Sequence, residues 1–517
     1  MDKVIRVKNG LRYEKNGWIY LAIKGSPKER GYAHGSLVAK ELTEIFRTLD
    51  FTFYHDYGIK REVFSEIVST MFGPQIQTNY AEFYAEMEAI TAGANAAGCK
   101  ATLNDIIMWN CNYSIDYLFS SVPGLLPNYP GLLKKYGELF GVDAESAEGA
   151  GRKAPMSAHS EGGGNTGSPT ERCSGFMAVG KYTKDGKIVA GHNSFDNFVS
   201  GQNENYIIDV HPDKGNRFLM QASAGWIWSG TDYYVTSSGL ICTETTIGGF
   251  KPFTLKAPIC VRIRQAMQYG KTLDDCTNFL TENNSGDYAN TWYIGDTKTN
   301  EIMKLELGLK YISVEKTKNG YFIGFNAPYD PRIRNLECSN TGYDDIRRHQ
   351  GARKVRLEQL MEEHKGKIDI KIAQEIMADH YDVYLNKINP SSRTCCSHYE
   401  LDDRAFMSDP SRPKPFQPRG AVDGLVCDTT MAKQMSFSAR WGSSCGTPFD
   451  KTEFCKRNLI WKDYEPYLRD RPSQPWTDFS IDKTLRGVAN TTKRKETRLK
   501  KYRQTSKNKP PIKVIGG

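Results

Sequence analysis

Two hydrophobic periods divide this chain. The segment "SPKERGYAHGSLVAKELTEIFRTLDFTFYHDYG" opens with a Ser-Pro-Lys-Glu start signal and then places apolar residues every three to four positions. "NYAEFYAEMEAITAGANAAG" continues in that style and stops at glycine, so residues 27 to about 120 are expected to be mostly helical. After Cys173 the period shortens to two. "CSGFMAVGKYTKDGKIVAGHNSF" reads as a strand, an Asp185-Gly186 turn and a returning strand. "NYIIDVHP", "NRFLMQAS", "YYVTSSGLICTETT", "NTWYIGDTKTNEIMKLELG" and "GYFIGFN" carry the antiparallel pattern onward. Two helices interrupt it: "PICVRIRQAMQYGKTLDDCTNFLTE", broken at Gly270, and "DDIRRHQGARKVRLEQLMEEHKG". "AVDGLVCDTTMAKQMSFSARWGSS" reads as a late strand pair. Runs of antiparallel strands with segregated helices predict an α+β layered architecture.

Between the two periods lies "AESAEGAGRKAPMSAHSEGGGNTGSPTER", residues 144–172, which has almost no large apolar side chain and reads as a linker. The division expected is a mostly helical region at 1–143 packed on the core, a flexible linker at 144–172, a core at 173–490 and a tail at 491–517.

Composition is globular, at 39% hydrophobic and 11% aromatic residues. No run approaches the roughly 18 to 20 apolar residues of a membrane span, so no integral membrane segment is expected. The opening "MDKVIRVKNGLRYEKNGWIY" has no apolar h-region, which predicts a soluble, cytoplasmic chain without a secretory signal. The net charge of +9 is concentrated in the tail, where ten Lys or Arg face Glu496 alone. The body carries 59 basic and 59 acidic side chains and is neutral. Nucleic-acid enzymology is therefore a poor fit, while the tail could touch a polyanion.

Twelve cysteines in such a chain do not read as a disulfide framework. Cys99, Cys111, Cys242, Cys260 and Cys276 sit among apolar neighbours, as small core residues do. Cys395, Cys396 and His398 form the one cluster that hints at metal. They lack a second pair at zinc-finger spacing, so no metal and no cofactor is expected.

The position of Cys173 matters most. Cutting the Arg172–Cys173 bond would leave a cysteine at a chain terminus, on the first residue of a strand. Its α-amine, with an ordinary pKa near 8, could take the thiol proton without a histidine. A loose segment in front of it would let the bond strain during self-cleavage. A papain-like protease would instead need its own cysteine signature, which is absent.

The residues around this junction carry a resemblance. "CSGFMAVGKYTKDGKIVAGHNSFDNF" resembles the start of the mature catalytic chain in the phospholipase B-like family. "SGTDYYVTSSGLICTETTIGG" and "NSGDYANTWYIGDTK" are similar to two further strings of that family, in the same order. The front, "GWIYLAIKGSPKERGYAHG", resembles the penicillin acyltransferase type of amidohydrolases, with their Gly-x-Pro-x-x-Arg-Gly stretch. Both groups are N-terminal nucleophile hydrolases, which implies a four-layer αββα sandwich. The resemblance covers roughly residues 17 to 450 and is densest from 173 to 295.

The resemblance implies Cys173 as nucleophile and Asn290 as donor to the tetrahedral oxyanion. It implies His192 as a positioning or pocket residue, Asp232 beside the α-ammonium, and Thr246 as a polar group near the same sheet end. Arg334 in "DPRIRNLEC" is the expected site arginine. Trp226, Trp228, Tyr233 and Tyr234 are candidates to line an acyl pocket, although core packing is the commoner role of such residues. The function implied is a self-processing cysteine hydrolase of an amide or ester bond in a lipid or small acyl compound, its two cleaved chains staying associated. An acyltransferase on the same site and a catalytically retired binding protein are the alternatives. The family pattern is not followed everywhere: Ala-Asn-Thr-Trp replaces Asn-Asn-Gln-Trp, Asp196 replaces an amide-type residue, and animal members enter the secretory route.

Overall fold

The computed structural model describes residues 3–142, 173–231, 233–339, 342–402 and 416–484. The linker at 144–172 with Arg172, the single residue Asp232, and the tail at 491–517 lie outside the described residues. Residues up to Ser480 cluster as one compact unit.

Nineteen strands are described. In chain order they are β1 (Ile5–Val7), β2 (Gly10–Lys15), β3 (Trp18–Gly25), β4 (Cys173–Val179), β5 (Val189–Asn197), β6 (Tyr206–Pro212), β7 (Phe218–Ala222), β8 (Tyr234–Thr236), β9 (Leu240–Thr246) and β10 (Asn290–Asp296). There follow β11 (Glu301–Leu307), β12 (Ile312–Thr317), β13 (Gly320–Gly324), β14 (Tyr381–Asp382), β15 (Lys387–Ile388), β16 (Arg419–Ala421), β17 (Asp423–Asp428), β18 (Ser436–Trp441) and β19 (Thr477–Ser480). Ten form a large sheet in the order β1-β2-β3-β6-β7-β8-β9-β10-β11-β12. A smaller sheet runs β13-β4-β5-β17-β18-β19, with β16 also on β5.

Within the mostly helical region expected at 1–143, residues 5–25 form strands. They give three strands to the large sheet, where β3 pairs with β6 in the sheet's parallel register, Leu21 opposite Ile208. The helical stretch then begins at Pro27–Tyr57, where Ser26 and Glu29 form a reciprocal capping box and Pro27 takes the first turn. The "GSPKERG" motif is thus a helix start. Its glycine Gly31 lets the helix close on Ala81–Ala96, because a Cβ there would lie 2.4 Å from the Glu86 carbonyl oxygen. Arg30, fully buried, reaches Glu86 at 2.7 Å and Glu82 at 2.8 Å.

These helices, with Ile259–Tyr269 and Leu273–Thr281, cover one face of the large sheet and share its core through Leu21, Ile208, Met220, Trp292 and Leu305. The other face meets the small sheet. Tyr293 donates its hydroxyl to the Ile323 carbonyl at 2.8 Å, Gln221 bonds Asp423 at 2.6 Å, and the Tyr20 and Phe479 rings stack. Beyond the small sheet, His349–Glu363 and Ile370–Met377 pack Leu357, Leu360 and Met377 on Phe176 and Val189. The layers are helix, sheet, sheet, helix: the αββα order expected. Among the described residues no helix is long and apolar enough to cross a membrane.

Candidate active site

Cys173 is the first residue of β4 and is buried between two neighbours, pairing with Ser194 on β5 while Gly175 pairs with Gly324 on β13. Two residues past β13 the chain turns at Asn326, whose φ of 65° is left-handed. Asparagine tolerates that region better than most residues, and such backbone persists where the surroundings hold it. The turn aims the Asn326 amide at the strand end. Its Oδ1 accepts from the Cys173 backbone N–H at 3.4 Å, and its Nδ2 donates to the Thr246 carbonyl at 2.8 Å. The buried Arg353, from helix His349–Glu363, donates to the Cys173 carbonyl at 2.5 Å, to Ser174 Oγ at 3.1 Å and to Asn326 Oδ1 at 2.9 Å.

The thiol faces the large sheet. Cys173 Sγ lies 3.8 Å from Glu244 Oε1, a long sulfur contact, and that same oxygen accepts from the Tyr288 hydroxyl at 3.0 Å. Thr246 Oγ1 bonds the Tyr288 hydroxyl at 3.1 Å. Asn290 opens β10 opposite Thr246, and both atoms of its side-chain amide are buried with no hydrogen-bond partner among the described residues. An unpaired buried amide costs roughly 1 to 3 kcal/mol, so this side chain is one that packing alone does not favour. The ends of β4, β9 and β10 thus bring together a thiol, a carboxyl, a free amide and a network of tethering bonds.

His192 is diagonal to Cys173 across β4 and β5. Its ring lies above Gly175, where a Cβ would meet His192 Cδ2 at 3.5 Å. Burial pushes its pKa down to about 3, with the Glu244 backbone pulling weakly the other way, so the imidazole is neutral at working pH. Tyr233 packs beside it, with ring centroids 6.2 Å apart.

The other sequence candidates lie elsewhere. Arg334 is half-buried, donates to the carbonyls of Pro328 and Tyr329, and stacks on Tyr343 at 4.0 Å. The arginine touching Cys173 is Arg353. Trp226 and Trp228 are fully buried in the helical core, with Trp226 donating its indole N–H to the Trp109 carbonyl at 2.9 Å. Their rings reach the site only at second hand, through Tyr113, which packs on Trp228 at 5.7 Å and on Tyr288 at 5.1 Å. Tyr234 belongs to that same core. Asp232 and Arg172 fall outside the described residues.

Four residues of the site escaped the sequence reading: Glu244, Tyr288, Asn326 and Arg353. Glu244 was within reach, since it stands two positions before Thr246 on one strand and therefore on the same face. Arg353 had no local signal in a helix rich in charge.

Comparison with known proteins agrees with the junction motifs. The family model described as Phospholipase B matches residues 79–467. This chain belongs to the phospholipase B family. Phospholipase B of Crotalus adamanteus is 27% identical over 251 residues, covering 43% of this chain and 42% of that protein. The putative phospholipase B-like 2 of Mus musculus is 25% identical over 279 residues, covering 47% and 46%. An uncharacterized protein of Archaeoglobus fulgidus is 23% identical over 293 residues, covering 55% and 42%. The matches therefore span less than half the length of these relatives. Among solved structures, a mutant conjugated bile acid hydrolase from Clostridium perfringens aligns with a TM-score of 0.31 and 11% identity, over 52% of this chain and 89% of that one.

Proposed function

We propose that this chain is a self-processing N-terminal-cysteine hydrolase that cleaves an acyl bond, ester or amide, through a thioester on Cys173. The observation that carries the reading is the clamp on Cys173: its N–H on Asn326, its carbonyl on Arg353, its thiol toward Glu244. A core cysteine needs no such arrangement.

Two reactions would use the same sulfur. In the uncut chain the residue 173 nitrogen is an amide and cannot act as a base. Glu244 is the carboxylate near the thiol, so it takes the thiol proton as Sγ attacks the Arg172 carbonyl. The C–N bond breaks as the proton passes from Glu244 to the nitrogen, which frees the α-amine and leaves a thioester between Arg172 and Sγ; water then hydrolyses that thioester, releasing the Arg172 carboxylate and the Cys173 thiol. In turnover the freed amine takes the thiol proton, Sγ attacks the substrate carbonyl, and the oxyanion receives an N–H from Asn290 Nδ2. The amine, as ammonium, protonates the leaving alcohol or amine, and water completes the cycle. Asn326 Oδ1 is the acceptor that would keep the amine oriented. His192, neutral and buried, would shape the pocket without titrating.

The relatives named phospholipase B favour an ester of a lipid as substrate, ahead of a linear amide. Intact mass of the wild-type chain beside Cys173→Ala tests the proposal. Two chains with a new terminus at Cys173 in the wild type, and one whole chain in the variant, support it. A wild type that stays uncut at neutral and mildly acidic pH overturns it.

A further inference from the structure

Outside the nucleophile region, four metal-binding side chains converge. His380 follows the helix Ile370–Met377, Cys396 and His398 lie on the loop that returns past the β14–β15 hairpin, and Cys445 lies in the turn after β18. One ligand atom from each lies within 4.8 Å of all the others. His398 Nε2 is 3.5 Å from Cys396 Sγ and 3.4 Å from Cys445 Sγ. A tetrahedral zinc ion, with Zn–S of about 2.3 Å and Zn–N of about 2.0 to 2.1 Å, separates sulfur from nitrogen by roughly 3.5 Å. The spacing found is already that of two ligands on one ion.

The surroundings fit as well. His398 Nδ1 is 2.8 Å from Glu400 Oε1, the carboxylate arrangement that fixes a metal-bound imidazole with its other nitrogen free to ligate. The His380 ring stands edge-on to His398 at 5.0 Å, and its buried Nε2 meets no hydrogen-bond partner among the described residues. The Thr447 backbone N–H points at Cys445 Sγ from 3.4 Å, a donor suited to a thiolate.

We propose that His380, Cys396, His398 and Cys445 bind one zinc ion in a closed, structural Cys2His2 site. Binding releases the two thiol protons and forms two Zn–S and two Zn–N bonds. Soft sulfur with imidazole selects zinc over magnesium or calcium, and four protein ligands leave no position for a reacting water. Two of the four ligands stand outside the Cys395–His398 cluster, so zinc-finger spacing does not reveal the set. Cys395 packs into the core against the helices, and the missing ligands come from His380 and Cys445. Cys396 shares a small cluster with Phe195, whose ring lies 5.3 Å from the Arg353 guanidinium. The ion would therefore pin the 378–402 loop behind the strand that supports the nucleophile.

The test is the metal content of the full chain purified without chelator, read by elemental mass spectrometry. About one zinc per chain is expected, with X-ray absorption giving two sulfur and two nitrogen neighbours. Cys445→Ser and His380→Ala should each lower the zinc content at least several-fold, while Cys338→Ser should retain it. Should the ligand variants fail to fold, alkylation of the wild type decides. Cys396 and Cys445 should resist iodoacetamide until a chelator is added. A zinc-free wild type, a Cys396–Cys445 disulfide in the peptide map, or alkylation indifferent to chelator would each overturn the site.

Discussion

Arg353 donates to the carbonyl oxygen of Cys173 at 2.5 Å, across 180 positions of sequence. The same guanidinium also holds Asn326 Oδ1 and Ser174 Oγ. One planar cation therefore fixes both the residue that would attack and the amide that faces its nitrogen, a role suited to a fork of donors rather than to a point charge.

Replacing Arg353 by Lys keeps the charge and loses that fork. Charge-assisted hydrogen bonds are worth about 1.5 to 3 kcal/mol each, so losing even one should slow the formation of two chains by roughly ten- to a hundredfold. The rate of chain cleavage, followed on denaturing gels, measures it. Cleavage at the wild-type rate in a folded Arg353→Lys chain would mean that the clamp is only structural.

Asn290→Ala should leave the fold intact, because the wild-type amide has no partner to lose among the described residues. Removing an oxyanion donor costs about a hundred- to a thousandfold in kcat. With an acyl ester reporter, kcat should fall by that amount while KM changes little. A loss confined to KM would instead place Asn290 in ground-state binding.

His192 carries a pH signature. Its pKa is near 3 in the fold, lowered by burial, against an ordinary 6.5. Below pH 6.5 the unfolded chain takes up a proton that the folded chain refuses until about pH 3. Stability is thus fully present above 6.5 and falls as pH drops through that window, by about 2 kcal/mol at pH 5 from this group. Urea unfolding of the uncut Cys173→Ala chain at pH 7.5 and pH 5, with and without His192→Gln, should show that share of the acid loss disappear in the variant. An unchanged pH slope would show that the imidazole is already charged or solvated.

Legibility in the sequence follows contact distance. The β4–β5 hairpin was readable because its turn at Asp185-Gly186 and its alternation are local. Asn290 and Thr246 were readable through motifs, and the structure pairs them directly across β10 and β9. The three N-terminal strands were not, although β2 and β3 join at a local Asn16-Gly17 turn: β3 is buried along most of its length, which erases alternation, and its other partner β6 lies more than 180 residues away. Arg353 and Asn326 were hidden for the same reason. Each reaches Cys173 through the packing of a helix or a turn that no local period records.

The "GSPKERG" stretch, a capped helix start, also yields a stability prediction. Glu86 Oε2 accepts from Arg30 Nε at 2.7 Å and from Arg264 Nη2 at 2.8 Å, and all three side chains are essentially inaccessible to water. Arg264 also donates to the Ile227 carbonyl, between Trp226 and Trp228, so the cluster ties the helix start to the aromatic core. Glu86→Gln keeps the shape and removes the charge, leaving two buried guanidiniums with Glu82, and for Arg30 also Asp213 at 3.6 Å, as the carboxylates nearby. Breaking a buried ion pair by removing one member costs about 3 to 5 kcal/mol. Chemical denaturation should show a loss of that size, with the far-UV spectrum of the folded state unchanged. Pairing Glu86→Leu with Arg264→Met should recover part of it, since an apolar replacement needs no counterion. A loss below about 1 kcal/mol would mean that water or Glu82 already neutralises the pair.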